Sequence, residues 1–143
     1  MEDIYKNDFE KFLSHTNEKL ILLNEISKEI EKNKSESLLD IGAGNGLLSI
    51  PLSKKVNKYL AIEPNKNFVR ILRKKGVRVI EAKWEDVTIK ESFDLVIAAY
   101  VITNFSSHQI SELLNKMISC LNEGGYLVIL AVDEQKGSWR EIH

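Results

Sequence analysis

An apolar run that stops at three alternating glycines and restarts as a helix leaves a chain few folds to choose from. Here the run reads Leu38-Leu39-Asp40-Ile41-Gly42-Ala43-Gly44-Asn45-Gly46, and a helix-like pattern follows over residues 47–55. Three of the seven glycines fall within five positions. A strand that ends in such a turn and re-enters as a helix brings bare backbone amides close to a ligand. The rest of the chain is read around that turn.

Before it, residues 1–34 are helical in pattern. Phe9, Phe12 and Leu13 form one apolar group; Leu20, Leu23, Ile26 and Ile30 form another at helical spacing. Ser14-His15-Thr16-Asn17 between them are cap-type residues, which predicts a break and a fresh helix to about residue 32. After a connector at 35–37, strands are expected at 37–41, 58–63, 77–81, 93–99 and 126–132. Pro51 should truncate or bend the helix behind the glycine turn. Pro64-Asn65 starts a helix to residue 75, with Gly76 as its stop, and a polar loop spans 82–92. Ser106-Ser107-His108-Gln109 has the form of a capping box. The helix behind it carries Ile110, Leu113, Leu114, Met117, Ile118 and Leu121, and Gly124-Gly125 ends it. Residues 133–143 have no strong pattern. Strands separated by helices imply right-handed βαβ units and a parallel sheet covered on both faces, an α/β three-layer sandwich of at least five strands. Residues 1–34 read as an N-terminal helical cap on a domain spanning 35–143.

Composition narrows the function classes. At 143 residues the chain is one domain with room for a core. No apolar run approaches the roughly 20 residues of a membrane span, and the N-terminus lacks a signal-peptide layout. The single Cys120 excludes an intrachain disulfide and a cysteine-cluster metal site; no metal site is expected, and a reducing cytoplasm is the simplest location. The net charge of −1 conceals a basic middle: residues 54–90 carry 11 Lys/Arg against 4 Asp/Glu. Such a segment can attract nucleic acid, although Arg70, Arg73, Lys74 and Lys75 also suit the solvated face of one short helix.

In an open parallel sheet the ligand lies beyond the carboxyl ends of the strands. A dinucleotide fingerprint would place its third glycine at position 47, which is Leu. A phosphate P-loop would need Gly at 47 and a Lys-Ser/Thr pair behind it, and both are absent. Glu63, 21 residues beyond Gly42 at the end of the second strand, can accept hydrogen bonds from the vicinal hydroxyls of a ribose. Asp40 is a carboxylate inside an apolar strand, costly unless it is paired or reaches the cleft. There it could accept from a ligand's ammonium group or from the loop's own amides.

These residues resemble the first motif of class I S-adenosylmethionine-dependent methyltransferases, which have a Rossmann-like fold. Ala61-Ile62-Glu63-Pro64-Asn65 is similar to the family's second motif, with its ribose-binding acid. Ala82-Lys83-Trp84-Glu85-Asp86-Val87 falls where the family contacts adenine. Phe93-Asp94-Leu95-Val96-Ile97 resembles the fourth-strand motif, and residues 121–129 the turn into the fifth strand. The resemblance implies S-adenosyl-L-methionine as cofactor. Gly42, Ala43 and Gly44 would pack on its methionine portion and Asp40 would help hold its amino group. Glu63, with Pro64 beside it, would bind the ribose. Trp84 and Glu85 would flank the adenine, Trp84 by stacking or by its backbone amide, and Ala99 and Tyr100 would border the cofactor from the fourth strand. Many members carry an acid where Lys83 stands, and Lys cannot accept a hydrogen bond.

The methyl acceptor is less legible. Tyr100 is the leading side chain at the mouth, ahead of His108 and His15; Asn104, Tyr5, Phe9 and Thr16 are further candidates. The Asn/Asp-Pro-Pro-Tyr/Phe signature of amino-nucleobase methylation is absent, since Ala98-Ala99-Tyr100-Val101 stands in its place. That favours a small-molecule acceptor over nucleic acid. Members usually continue with two more strands, which are missing here, and a bare fifth strand would be a long apolar edge. Residues 133–143, a second copy of the chain or another partner chain could cover it. A cofactor-binding module without chemistry, or one subunit of a larger complex, is the alternative to an enzyme.

Overall fold

A computed structural model describes the backbone of residues 2–99, 106–133 and 138–142, and the side chains of residues 18–99 and 106–130. Its elements are α1 (Glu2–Asn33), β1 (Ser37–Ile41), α2 (Ser49–Ser53), β2 (Lys58–Glu63), α3 (Lys66–Lys74), β3 (Val79–Glu81), a 3-10 turn at Trp84–Asp86, β4 (Phe93–Ala99), α4 (Ser107–Ser119), β5 (Leu121–Asp133) and β6 (Ser138–Ile142). They build one six-stranded sheet in the order β3-β2-β1-β4-β5-β6. The first five strands run parallel, and β6 is antiparallel to β5.

All five residues of β1 are buried, as a central strand with both faces covered requires. On one face Leu22, Ile26 and Ile30 of α1 pack with Leu38, Tyr59, Ala61, Val69 and Leu72. On the other, Leu113 and Met117 of α4 pack with Leu39, Ile41, Leu60, Val96 and Trp84. Strand order reverses between β1 and β4: β2 and β3 lie to one side of β1, β4 and β5 to the other. The crevice at that reversal is where such sheets take their ligands, and the glycine turn borders it.

The expected break at residues 14–17 does not occur, and α1 continues through them. Cap-type residues lower helix propensity by only a few tenths of a kcal/mol each, whereas a new helix would have to be nucleated afresh. Behind the glycine turn, α2 is cut to five residues around Pro51. β3 begins at Val79 rather than 77. The capping box forms in full, with Ser106 Oγ accepting from Gln109 N and Gln109 Oε1 accepting from Ser106 N. α4 ends before the paired glycines, and Leu121 already pairs with Phe93. Regular pairing resumes only at Tyr126 opposite Leu95, so residues 122–125 form an excursion within β5. The patternless tail supplies β6, which pairs with β5 from Ile129↔Ile142 to Asp133↔Ser138. This corrects the expectation that the strands beyond the fifth are missing: the chain's own residues supply one of them, beside β5.

Candidate functional site

The glycine turn is held to the neighbouring strand by two contacts. Gly42 N donates to Ile62 O at 2.8 Å, which extends the β1–β2 ladder past the strand end. Gly44 N donates to Glu63 Oε1 at 2.7 Å. Asn45 Oδ1 accepts from Leu47 N at 3.1 Å, and Gly46 O accepts from Ile50 N at 2.9 Å, so the turn runs straight into α2.

The glycines do different work. At Gly44 φ is +64°, and an added Cβ would meet no atom within 4 Å. At Gly46 φ is +91°, and a Cβ would lie 2.5 Å from Ile50 Cδ1 and 3.1 Å from Leu72 Cδ2. Gly46 is a packing glycine; Gly44 faces open space that a ligand can enter.

Glu63 is buried at the end of β2, 5% exposed. Its Oε1 takes the Gly44 amide and its Oε2 the Asn65 amide at 2.8 Å. Two charge-assisted hydrogen bonds fix the carboxylate, and the two remaining of its roughly four lone-pair sites are available to a diol. Asp40 projects to the same face, since it pairs with Ala61, two residues before Glu63. Its Oδ2 accepts from Ser49 Oγ and from Tyr59 Oη, each at 2.5 Å. Its Oδ1 is buried and has no hydrogen-bond partner. Burial raises the Asp40 pKa; the two hydroxyls oppose that rise, Glu63 adds to it, and Lys19 on α1 pulls it down. An orphaned buried acceptor and a cradle open at Gly44 are what a ligand with an ammonium group and a ribose would satisfy.

The remaining expected site residues are more scattered. Ala43 is buried beside the turn, Pro64 is exposed behind Glu63, and Ala99 is half-buried at the end of β4. Trp84 corrects one expectation. The residue is 2% exposed in the α4-side core, its Nε1 donates to Leu113 O at 3.3 Å, and Lys116 Nζ lies 4.4 Å from the ring centroid. The indole is taken up by α4 and offers no stacking face. Lys116 also donates to the Trp84 carbonyl, and burial lowers its pKa. Glu85 and Lys83 are exposed. His108 is 85% exposed and meets Glu112 Oε1 at 3.2 Å, so it sits in a surface pair one helical turn apart. Tyr100 and Asn104, together with the side chains of Tyr5, Phe9, His15 and Thr16, lie outside the described residues. Among the described residues no group of three His, Cys, Asp or Glu could hold a metal.

Ser49 and Tyr59 are the residues that the motif spacing does not point to. Tyr59 reads as one more aromatic strand former. Only the parallel register places it on the face of Asp40. An acid and a hydroxyl at same-face positions of two neighbouring strands are the signal that could have found the pair.

Comparison with known proteins agrees with this arrangement. Residues 38–125 match the model of the methyltransferase domain family. An uncharacterized methyltransferase of Alkaliphilus oremlandii is 26% identical over 109 residues, covering 75% of this chain and 50% of that protein. Ribosomal RNA small subunit methyltransferase A of Mycoplasma capricolum is 28% identical over 130 residues, covering 80% and 47%. A solved S-adenosylmethionine-dependent methyltransferase from Clostridium acetobutylicum superimposes with a TM-score of 0.69 at 21% identity, covering 87% of this chain and 58% of that one. The chain spans about half the length of the curated relatives it matches. With motifs, strand order and turn geometry in agreement, the chain belongs to the methyltransferase domain family of class I enzymes, whose methyl donor is S-adenosylmethionine.

Proposed function

We propose that this chain is the cofactor-binding core of a methyltransferase that passes the methyl group of S-adenosylmethionine to a small-molecule acceptor. The observation that carries the reading is Glu63, a buried carboxylate tied to the Gly44 amide at 2.7 Å, where ribose recognition and the open glycine cradle meet. When bound, S-adenosylmethionine supplies a methyl group on a sulfonium, already activated toward a nucleophile. The chain's own residues then have to bind, orient and exclude water. Glu63 takes the ribose hydroxyls while the Gly44 and Asn65 amides keep its carboxylate from rotating. Gly42, Ala43 and Gly44 give the methionine portion a floor with no side chain larger than a methyl. Asp40 offers its unpartnered Oδ1 to the amino group. The Trp84–Asp86 turn borders the adenine through backbone. Acceptor-side roles, with Tyr100 foremost, fall to the residues that follow β4 in the sequence.

Calorimetry on Glu63→Ala tests the cofactor half. Loss of the charged hydrogen bonds should weaken S-adenosylmethionine by about 1.5–3 kcal/mol. An unchanged affinity would move the ligand elsewhere. A labelled-methyl assay over a panel of small amines, alcohols and acids tests the acceptor half, and binding without turnover would favour a cofactor-binding module or a subunit of a larger enzyme.

A second reading, methylation of RNA, is supported by the ribosomal RNA methyltransferase relatives and by the basic face of α3. Replacement of the amino-nucleobase signature by Ala98-Ala99-Tyr100-Val101 weighs against it.

A further inference from the structure

Asp40 is held in an unusual way. Both hydroxyls that reach it, Ser49 Oγ and Tyr59 Oη, converge on Oδ2 at 2.5 Å, while Oδ1 in the same buried carboxylate has none. A carboxylate free to choose would spread two donors over two oxygens. Ser49 itself is fully buried at the start of α2, and its Oγ also lies 3.2 Å from Ala43 O, so it touches the glycine turn. Tyr59 is 8% exposed, with its ring in the α1-side core. Neither side chain is free to leave: one is set by α2, the other by β2. The pair acts as a two-point clamp that fixes the carboxylate's torsion and keeps one oxygen unclaimed.

We propose that Tyr59 and Ser49 are positioning residues that hold Asp40 so that its Oδ1 accepts from the amino group of the cofactor's amino-acid end. This rests on the S-adenosylmethionine reading given above. The clamp acts on one end of the ligand only. The adenosine end depends on Glu63 and the Trp84–Asp86 turn, which make no hydrogen bond to Tyr59 or Ser49 among the described residues.

That division gives the test. S-adenosylhomocysteine carries the amino-acid end; 5′-methylthioadenosine keeps the adenosine and the sulfur but lacks it. Calorimetric affinities for both are measured on the wild type, Tyr59→Phe, Ser49→Ala and Glu63→Ala. Tyr59→Phe removes one oxygen and leaves the ring in the core. It should weaken S-adenosylhomocysteine about five- to tenfold, the scale of one hydrogen bond lost from a buried carboxylate, and leave methylthioadenosine within about twofold. Ser49→Ala should show the same selectivity and serves as the clamp variant if Tyr59→Phe fails to fold. Glu63→Ala should weaken both ligands alike. Equal losses on the two ligands in both clamp variants, or no loss on S-adenosylhomocysteine, would overturn the clamp while leaving the cofactor reading intact. A wild-type protein that binds neither ligand would remove the cofactor reading and the clamp with it.

Discussion

Two glycines in one turn separate binding from folding at the level of single residues. Gly44→Ala places a methyl where no atom lies within 4 Å, so its cost to the ligand-free fold is the left-handed backbone alone, about 1–2 kcal/mol. The same methyl fills the cradle, and cofactor affinity should fall at least about tenfold, more than 1.4 kcal/mol. Gly46→Ala drives its methyl into Ile50 and Leu72 and should cost stability first, about 1–3 kcal/mol beyond the backbone strain. Thermal melts beside calorimetry check both, and a Gly44→Ala protein that binds normally would place the ligand outside this turn. Asp40 makes the opposite trade. Its pKa is raised above 3.8, chiefly by burial, so the folded chain binds a proton more tightly than the unfolded one. The stability from that group is fully present below the unfolded value and is lost as pH rises through the folded one. Asp40→Asn should therefore make the ligand-free protein more stable at pH 7, with the gain shrinking toward pH 4, while cofactor affinity drops. Urea melts at the two pH values decide it; a variant less stable than wild type at pH 7 would mean that the ionised carboxylate supports the fold.

Among the elements, legibility follows how many neighbours decide each one. β1, β2 and β4 were readable to the residue because a strand buried on both faces is written in its own apolar run. α4 was readable because Ser106 and Gln109 write its start locally. The end of α4 and the excursion in β5 were not, because pairing with β4 claims Leu121 ahead of the glycines that seemed to divide helix from strand. β6 had no strong pattern of its own: it is defined by the edge of β5, which the tail's residues alone do not encode. The burial of the Trp84 ring was illegible for the same reason: the partner that claims it, Leu113, lies 29 residues away on α4. α4 thus helps to place the Trp84–Asp86 turn, and its cap can be tested. Ser106→Ala removes the oxygen that accepts from Gln109 N at 3.3 Å and should cost about 1 kcal/mol of stability in denaturant melts. A loss under a few tenths would show that packing by Leu113 and Met117 starts the helix unaided.

For the whole molecule, charge distribution bears on the acceptor. The chain is nearly neutral overall, yet Lys66, Arg70, Arg73 and Lys74 of α3 line a shallow groove with Glu81 of β3. These four cations form no ion pair among the described residues, whereas Lys58 and Arg78 nearby are both engaged by Glu91. That engagement holds the Glu91 carboxyl down at about 2. Four such cations on one helix suit either plain solvation or the spaced phosphates of a nucleic acid, and the two separate by salt. If RNA were the acceptor and these four cations met phosphates, log affinity for a single-stranded oligonucleotide should fall against log salt with a slope of about −3, from roughly 0.7 counterion released per phosphate. Arg70→Glu with Arg73→Glu should then flatten that slope by about half. The small-molecule reading expects no such binding at physiological salt, and equal methyl transfer by wild type and double variant, because α3 is hydrogen-bonded to Glu63 through its capped start, Asn65, and not through Arg70 or Arg73. Filter binding between 50 and 200 mM salt therefore assigns the basic face: a steep slope lost in the double variant brings RNA forward as the acceptor, and a flat or absent one leaves α3 as the solvated cover of the sheet.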